Sequence, residues 1–314
     1  MKTNPTYYPV FAAIGFTCIF GLSFMFSRSA LSYIQPLHLL GFRFLLAAIF
    51  MNVLRILRFI KVDITGSLKP LLLLSILQPL LYFSTETIGI QLTSASEAGL
   101  MVSIIPIFTI LFARVFLNER PTGYQIGAIV LSITGVLLIG IMQASGGFGS
   151  NVWGLLILLG APLSGAGFSV MSRYCSRRFS VVSMTYIMMH VGLAVFFPAS
   201  ILQHLYNKNL ASFLSPLSHV EVWFGVLYLG ILSSVAAFFL MNYALSLLPA
   251  SQVSVFPSLT TLIAVSTSVV FLKEELYWYH IIGGLLIIVG VWGANYFSSR
   301  QTQQKQSVQG LETY

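Results

Sequence analysis

The chain has 314 residues, of which 57% are hydrophobic and only 8% charged, and its mean hydropathy is +0.88. Soluble proteins carry about a quarter charged residues, so this chain lacks the polar surface of a water-facing domain. Composition therefore indicates a bilayer protein without a sizeable catalytic domain. The net charge of +8 does not indicate nucleic-acid binding, because the basic residues are scattered between apolar runs.

Charged residues, prolines and glycine clusters divide the chain into ten apolar segments, each near the roughly 20 residues that a spanning helix needs. We therefore predict an all-α integral membrane protein with about ten transmembrane helices. The first segment is longer than a signal-peptide core and lacks an A-x-A cleavage site, so it should stay as a span. The segments are residues 8–27, 36–57, 70–92, 96–117, 122–142, 152–172, 181–203, 221–247, 250–272 and 278–297.

An internal repeat groups these segments into two sets of five. At a constant offset of 155 residues, Phe116–Val136 matches Phe271–Val291 at nine of 21 positions. Because five is odd, the second copy enters the membrane in the opposite orientation, which is typical of carriers. The same offset matches Leu92 with Leu247, Ala95 with Ala250 and Ser96 with Ser251. The predicted organisation is a first repeat at 1–143, a linker loop at 144–151, a second repeat at 152–297 and a polar cytoplasmic tail at 298–314.

Positive charges in the short connections predict the orientation, because they accumulate on the cytoplasmic side. If both termini are cytoplasmic, twelve of the sixteen Lys and Arg residues lie inside. Three lie outside (Arg28, Lys208 and Lys273), and Arg43 lies within a span. This bias predicts a multi-pass protein of the cytoplasmic membrane with both termini inside.

Charges within a span cost roughly 2.5–3.5 kcal/mol each on insertion scales, so they mark candidate functional positions. Arg43 lies in the second segment and Glu86 in the third. On a helix, Gln78, Tyr82 and Glu86 share one face, which predicts a polar cavity beside it. Two interpretations remain open: Arg43 and Glu86 neutralise each other inside the bundle, or they meet a charged or zwitterionic solute.

Further polar residues extend this set. A carboxyl or an imidazole inside a membrane can carry a proton, so Glu86, Glu97 and His190 are proton-coupling candidates; the alternative for His190 is a packed, hydrogen-bonded role. The predicted substrate-binding residues are Arg43, Gln78, Tyr82, Glu86, Glu97, Asn242, Gln252 and Ser254.

Prolines and small residues indicate how the helices bend and pack. Pro106 and Pro257 are gating candidates, because proline frees a carbonyl and bends a helix, although kinks that only fit the packing are as common. Small residues seven positions apart predict close helix contacts in the fifth and tenth segments. These pairs are Ala128 with Gly135 and Gly283 with Gly290.

Catalytic and metal-binding motifs are missing from the sequence. It contains no G-x-S-x-G, H-E-x-x-H or Walker A motif, and Cys18 and Cys175 lack metal-ligand spacing. We therefore expect neither enzymatic activity nor a metal or cofactor. The expected partners are a small-molecule solute, the lipid bilayer and, as an option, protons.

Several motifs resemble the EamA-type drug/metabolite transporters over about residues 8–297. They are Phe42-Arg43-Phe44, Thr93-Ser-Ala-Ser-Glu97, Phe116-Leu-Asn-Glu119, Phe271-Leu-Lys-Glu274, Gly135-Val136 and Gly290-Val291. The resemblance implies a helical carrier with a central cavity lined by segments 1–4 and 6–9. It also implies export of amino acids, related metabolites or toxic organic compounds, commonly across a bacterial cytoplasmic membrane. Related branches import solutes, so neither direction nor substrate carries over.

We therefore expect a secondary active or facilitative exporter of amino acids or other small amphipathic compounds that works by alternating access. The alternatives are a passive pore or channel and a flippase for lipid-linked substrates. A pore would show fluxes without saturation or counterflow, and a flippase would need a lateral opening for a head group. A membrane-embedded enzyme would need a nucleophile or metal cluster, and a sensor would need an output domain.

Overall fold

Ten apolar helices make up the part of the fold that the structure describes. The computed structural model describes residues 7–64, 67–117, 122–146, 152–248, 253, 256–290, 292, 293 and 296. Six of these helices are long and apolar enough to cross a membrane, and four are shorter apolar helices or contain one. The helices are α1 (Tyr7–Leu31), α2 (Pro36–Ile56), α3 (Lys69–Leu92), α4 (Ala95–Val102 and Ile105–Leu117), α5 (Gly123–Gly146), α6 (Val152–Cys175), α7 (Val181–Tyr206), α8 (Val220–Leu247), α9 (Pro257–Leu272) and α10 (Trp278–Gly290). The predicted all-α membrane fold is confirmed.

The two sets of five helices share an unusual local feature. α3 widens into π-helical turns at Ile76–Leu81, and α8 does so at Tyr228–Ala236. The repeat offset of 155 residues places the first of these stretches on residues 231–236, inside the second. Wide turns of this kind interrupt regular helix packing and are frequent at functional sites. Both repeats therefore depart from a regular α-helix in the same helix, and in the first repeat this stretch also contains the extended residue Gln78.

The most extensive helix contacts join the two repeats. α2 packs along α7, α1 packs against α8 and α9, and α4 packs against α9. Aromatic rings fill the centre of this interface: the Phe83 ring centroid lies 5.8 Å from those of Phe44 and Phe238, and Phe238 lies 6.0 Å from Phe168. These four side chains are buried, so the interface between the repeats forms the centre of the hydrophobic core.

α5 and α10 approach each other through their small residues. A methyl group built on Gly135 would meet the Gly283 carbonyl at 2.5 Å, and one on Gly290 would meet the Ala128 carbonyl at 2.6 Å. Only residues without a bulky side chain allow backbones to come this close. The predicted close contacts are confirmed, and the structure adds that the two small faces pack on each other.

Candidate functional site

Arg43 anchors a polar cluster between the repeats. Its side chain lies on α2 and is 1% exposed. The Nε group donates to the Ser234 hydroxyl at 2.8 Å and an Nη group donates to the Ser233 hydroxyl at 2.9 Å, both in the wide turns of α8. The guanidinium also lies over the Phe83 ring, 3.8 Å from its centroid. Hydrogen bonds and a ring face thus replace the water that a buried cation loses.

Glu86 contributes a carboxyl group from α3. It is 4% exposed, interacts with the Tyr82 hydroxyl one turn earlier and lies within electrostatic range of Arg43. Arg43 and Glu86 both belong to the described part of the chain, and no ion pair of 4 Å or less joins them. We name Arg43, Tyr82, Glu86, Ser233 and Ser234 the Arg43 cluster. It places a guanidinium and a carboxyl group in one buried region without an ion pair of 4 Å or less between them.

Gln78 lies in the wide turns of α3 rather than on a continuous helix. Its backbone angles are extended (φ −149°, ψ 117°), so the helical face predicted for Gln78, Tyr82 and Glu86 is interrupted before Tyr82. The side chain is 3% exposed, and its Oε1 atom has no hydrogen-bond partner among the described residues. A buried amide oxygen without a partner is costly, so Gln78 stands out among the buried polar side chains.

Asn242 uses its amide to join three helices of the second repeat. It is fully buried, accepts from the Ser172 hydroxyl at 2.7 Å and donates to the Thr185 hydroxyl at 3.2 Å. These bonds connect α8 to α6 and α7. The geometry places Asn242 in a structural network, while Gln252 and Ser254 lie outside the described residues.

The two other proton-coupling candidates have partners outside the Arg43 cluster. Glu97 closes a capping box with Ser94 at the start of α4, and its Oε1 lies 3.4 Å from Nε2 of His280. His190 packs its ring on Tyr186, with 4.0 Å between centroids, and its Nδ1 lies 2.8 Å from the Tyr186 carbonyl oxygen. Of the three candidates, Glu86 belongs to the Arg43 cluster.

The two prolines mark helix starts. The turn at Ser103 and Ile104 interrupts α4, and Pro106 is the second residue of the segment that follows. Pro257 is the first residue of α9. Proline suits these positions because the first N–H groups of a helix have no partner within it. Both prolines thus accompany discontinuities rather than bends within a continuous helix.

Sequence reasoning did not single out Glu274 as a site residue. Its carboxylate accepts from the main-chain N–H groups of Ala95 and Ser96, each at 3.0 Å, and from the Ser96 hydroxyl at 2.6 Å. The loop after α9 therefore caps the N-terminus of α4 in the other repeat. A signal was present, because the repeat alignment matches Glu274 with Glu119 and Ser96 with Ser251.

A polar cleft of about 260 Å³ lies at this end of the bundle. Arg28 closes one side of it by donating to the Ile90 carbonyl at 2.8 Å and the Gln91 carbonyl at 3.2 Å. The cleft joins the connection between α3 and α4 to that between α9 and α10. Its lining residues are Arg28, Thr93, Ser94, Ser96, Glu97, Glu274, Glu275, Tyr277, Tyr279 and His280.

Comparison with known proteins identifies the family. The model of the EamA-like transporter family matches residues 8–141 and 152–296, one match in each repeat. The chain belongs to the EamA-like transporter family. The uncharacterized transporter YcxC of Bacillus subtilis is 34% identical over 294 residues, which cover 93% of this chain and 94% of YcxC. The EamA-like chain is thus a multi-pass membrane protein of a transporter family, as the resemblance implied.

Two further comparisons bear on substrate and fold. A protein named "Probable terminal-alkyne amino-acid exporter" from Streptantibioticus cattleyicolor is 25% identical over 197 residues, which cover 63% of each chain. A solved crystal structure aligns with a TM-score of 0.63 at 20% identity and covers 92% of this chain and 97% of its own. At that identity the structural match supports the fold alone.

Proposed function

We propose that this EamA-like protein is a carrier that exports small zwitterionic metabolites, with α-amino acids as the leading class. The observation that carries the proposal is the buried Arg43 cluster, where Arg43 and Glu86 oppose each other without an ion pair. A zwitterion carries a carboxylate that can face Arg43 and an ammonium group that can face Glu86. It would satisfy both side chains at once, which an uncharged or singly charged solute cannot do.

The hydrogen-bond inventory supports this assignment. A guanidinium has five N–H donors, and the Ser233 and Ser234 hydroxyls take one each. Donors therefore remain for a solute carboxylate, which Arg binds in a bidentate way. The solute ammonium would donate to Glu86, and the free amide oxygen of Gln78 offers a further acceptor in α3.

The placement of the cluster between the repeats supports alternating access. Arg43 and Glu86 belong to the first repeat, whereas Ser233 and Ser234 belong to the second. Rocking of inverted repeats moves such an interface between two accessible states. The excess of basic residues in the predicted inner connections favours an orientation with both termini in the cytoplasm. In that orientation the polar cleft at Arg28 and Glu274 faces outward.

Thermal unfolding in detergent tests the proposed recognition. We expect a neutral amino acid to raise the melting temperature, because a ligand at about 100 times its Kd stabilises the folded state by roughly 2.7 kcal/mol. Its amide lacks the carboxylate and its N-acetyl derivative lacks the ammonium, so both should fail to do so. Glu221→Gln, which removes a carboxylate at the start of α8, serves as the control and should respond like the wild type. Equal stabilisation by either derivative would contradict the proposal.

A further inference from the structure

The end of the bundle with the polar cleft is held closed by bonds between the repeats. Glu274 receives three hydrogen bonds from Ala95 and Ser96 of α4. His280, at the start of α10, pairs with Glu97 in the same turn of α4. We name Ala95, Ser96, Glu97, Glu274 and His280 the clasp. Every contact in it joins the first repeat to the second.

The clasp contacts are of a strong kind. Bonds to an ionised carboxylate are shorter and roughly twice as strong as neutral ones. The first N–H groups of α4 also carry the positive end of the helix dipole, which favours an anion such as Glu274. The contacts are only partly buried, so water can replace them when the repeats separate. The hydrogen bonds of the clasp therefore stabilise the closed arrangement, and water can replace them when the repeats separate.

Below the clasp, α4 and α9 leave no space between their backbones. A methyl group on Gly99 would lie 2.5 Å from the Ala264 Cβ atom. The Thr261 hydroxyl donates to the Gly99 carbonyl at 2.7 Å. A solute in the Arg43 cluster cannot leave between these helices unless they part. The structure is thus closed along this route at the end that carries the clasp.

We propose that Glu274 is a positioning residue for transport, and that its bonds to the α4 N-terminus must break and reform in each cycle. This inference rests on the proposed alternating-access function. In the proposed cycle the clasp closes the outward side while the solute exchanges on the other side. When the clasp breaks, water replaces Glu274 on the exposed N–H groups of Ala95 and Ser96. Glu274 thus controls access to the Arg43 cluster without touching the solute.

Reversible cross-linking tests the clasp. Cys18 and Cys175 are first replaced by alanine, and Ser96→Cys and Glu274→Cys are then combined. A short bifunctional thiosulfonate reagent should bridge the pair and lower counterflow in liposomes by at least about tenfold, because trapping one gated state stops turnover. Reduction of the bridge should restore the rate. Each single-cysteine variant, compared with itself before and after the reagent, should keep its rate.

The possible outcomes distinguish failure of the clasp proposal from failure of the proposed carrier function. Bridged protein that transports as fast as its reduced form would contradict the proposal that the clasp must open. The contact would then persist through the transport cycle as an ordinary helix cap. Absence of bridging would contradict the close contact itself. Reversal by reduction cannot result from misfolding, since the same molecules are compared. Unmodified protein that shows no counterflow would instead refute the carrier function.

Discussion

Replacing Glu86 with glutamine is expected to lower the transport of a zwitterionic solute by about tenfold or more. A hydrogen bond to a charged group contributes roughly 1.5–3 kcal/mol, and each 1.4 kcal/mol changes affinity tenfold. Glutamine keeps the size of the side chain and can still bond to Tyr82, but it cannot neutralise a solute ammonium. Because Arg43 stays charged, anionic N-acetyl derivatives should compete better in this variant than in the wild type.

The comparison requires proof that the variant inserts and folds normally. Initial rates in liposomes should be normalised to the amount of inserted protein, with Glu221→Gln as a control that removes a carboxylate elsewhere in the same fold. The measurement should also be made across a range of pH, since Glu86 is a proton-coupling candidate. A Glu86→Gln protein with the wild-type rate and the wild-type pH dependence would show that Glu86 has no role in transport.

Replacing Arg43 with leucine should abolish transport and also destabilise the protein. The substitution leaves the Ser233 and Ser234 hydroxyls without their donor and Glu86 without a compensating charge. A buried polar group that loses its hydrogen-bond partner typically costs about 1–3 kcal/mol, and two hydroxyls lose theirs here. We therefore expect a lower melting temperature in detergent together with the loss of solute transport.

The double variant separates stability from transport. Replacing a buried charge pair by apolar residues is often neutral or stabilising, so Arg43→Leu combined with Glu86→Leu should recover much of the melting temperature. Transport should stay abolished, because neither end of the zwitterion then has a partner. Recovery of both properties would show that the two charges only neutralise each other. An Arg43→Leu single variant as stable as the wild type would contradict the coupling.

The helices and the buried charges were predictable from the sequence. Apolar runs of about 20 residues specify spanning helices directly, which is why the predicted segment 36–57 agrees with α2 at Pro36–Ile56. The cost of charge in a bilayer singled out Arg43 and Glu86, and the structure brings them into one cluster. Both predictions depend on local composition, which does not require knowledge of the tertiary fold.

The local geometry of α3 and the clasp needed the structure. The helical face that includes Gln78 assumed 3.6 residues per turn, and the wide turns at Ile76–Leu81 break that period. Pro79, inside these turns, was the available signal. The bonds of Glu274 join residues 178 and 179 positions apart, so no helical period within one segment can reveal them. The internal repeat was the available signal, because it matches Glu274 with Glu119 and Ser96 with Ser251.

Counterflow tests directly whether this EamA-like protein is a carrier. Purified protein in liposomes preloaded with an unlabelled amino acid should take up a labelled trace of that amino acid, with a rate that saturates as the external concentration rises. Repeating the assay with a pH gradient shows whether protons drive the movement. We expect saturable counterflow for zwitterionic solutes. Leak of the solute without saturation or counterflow would contradict it and would indicate a pore.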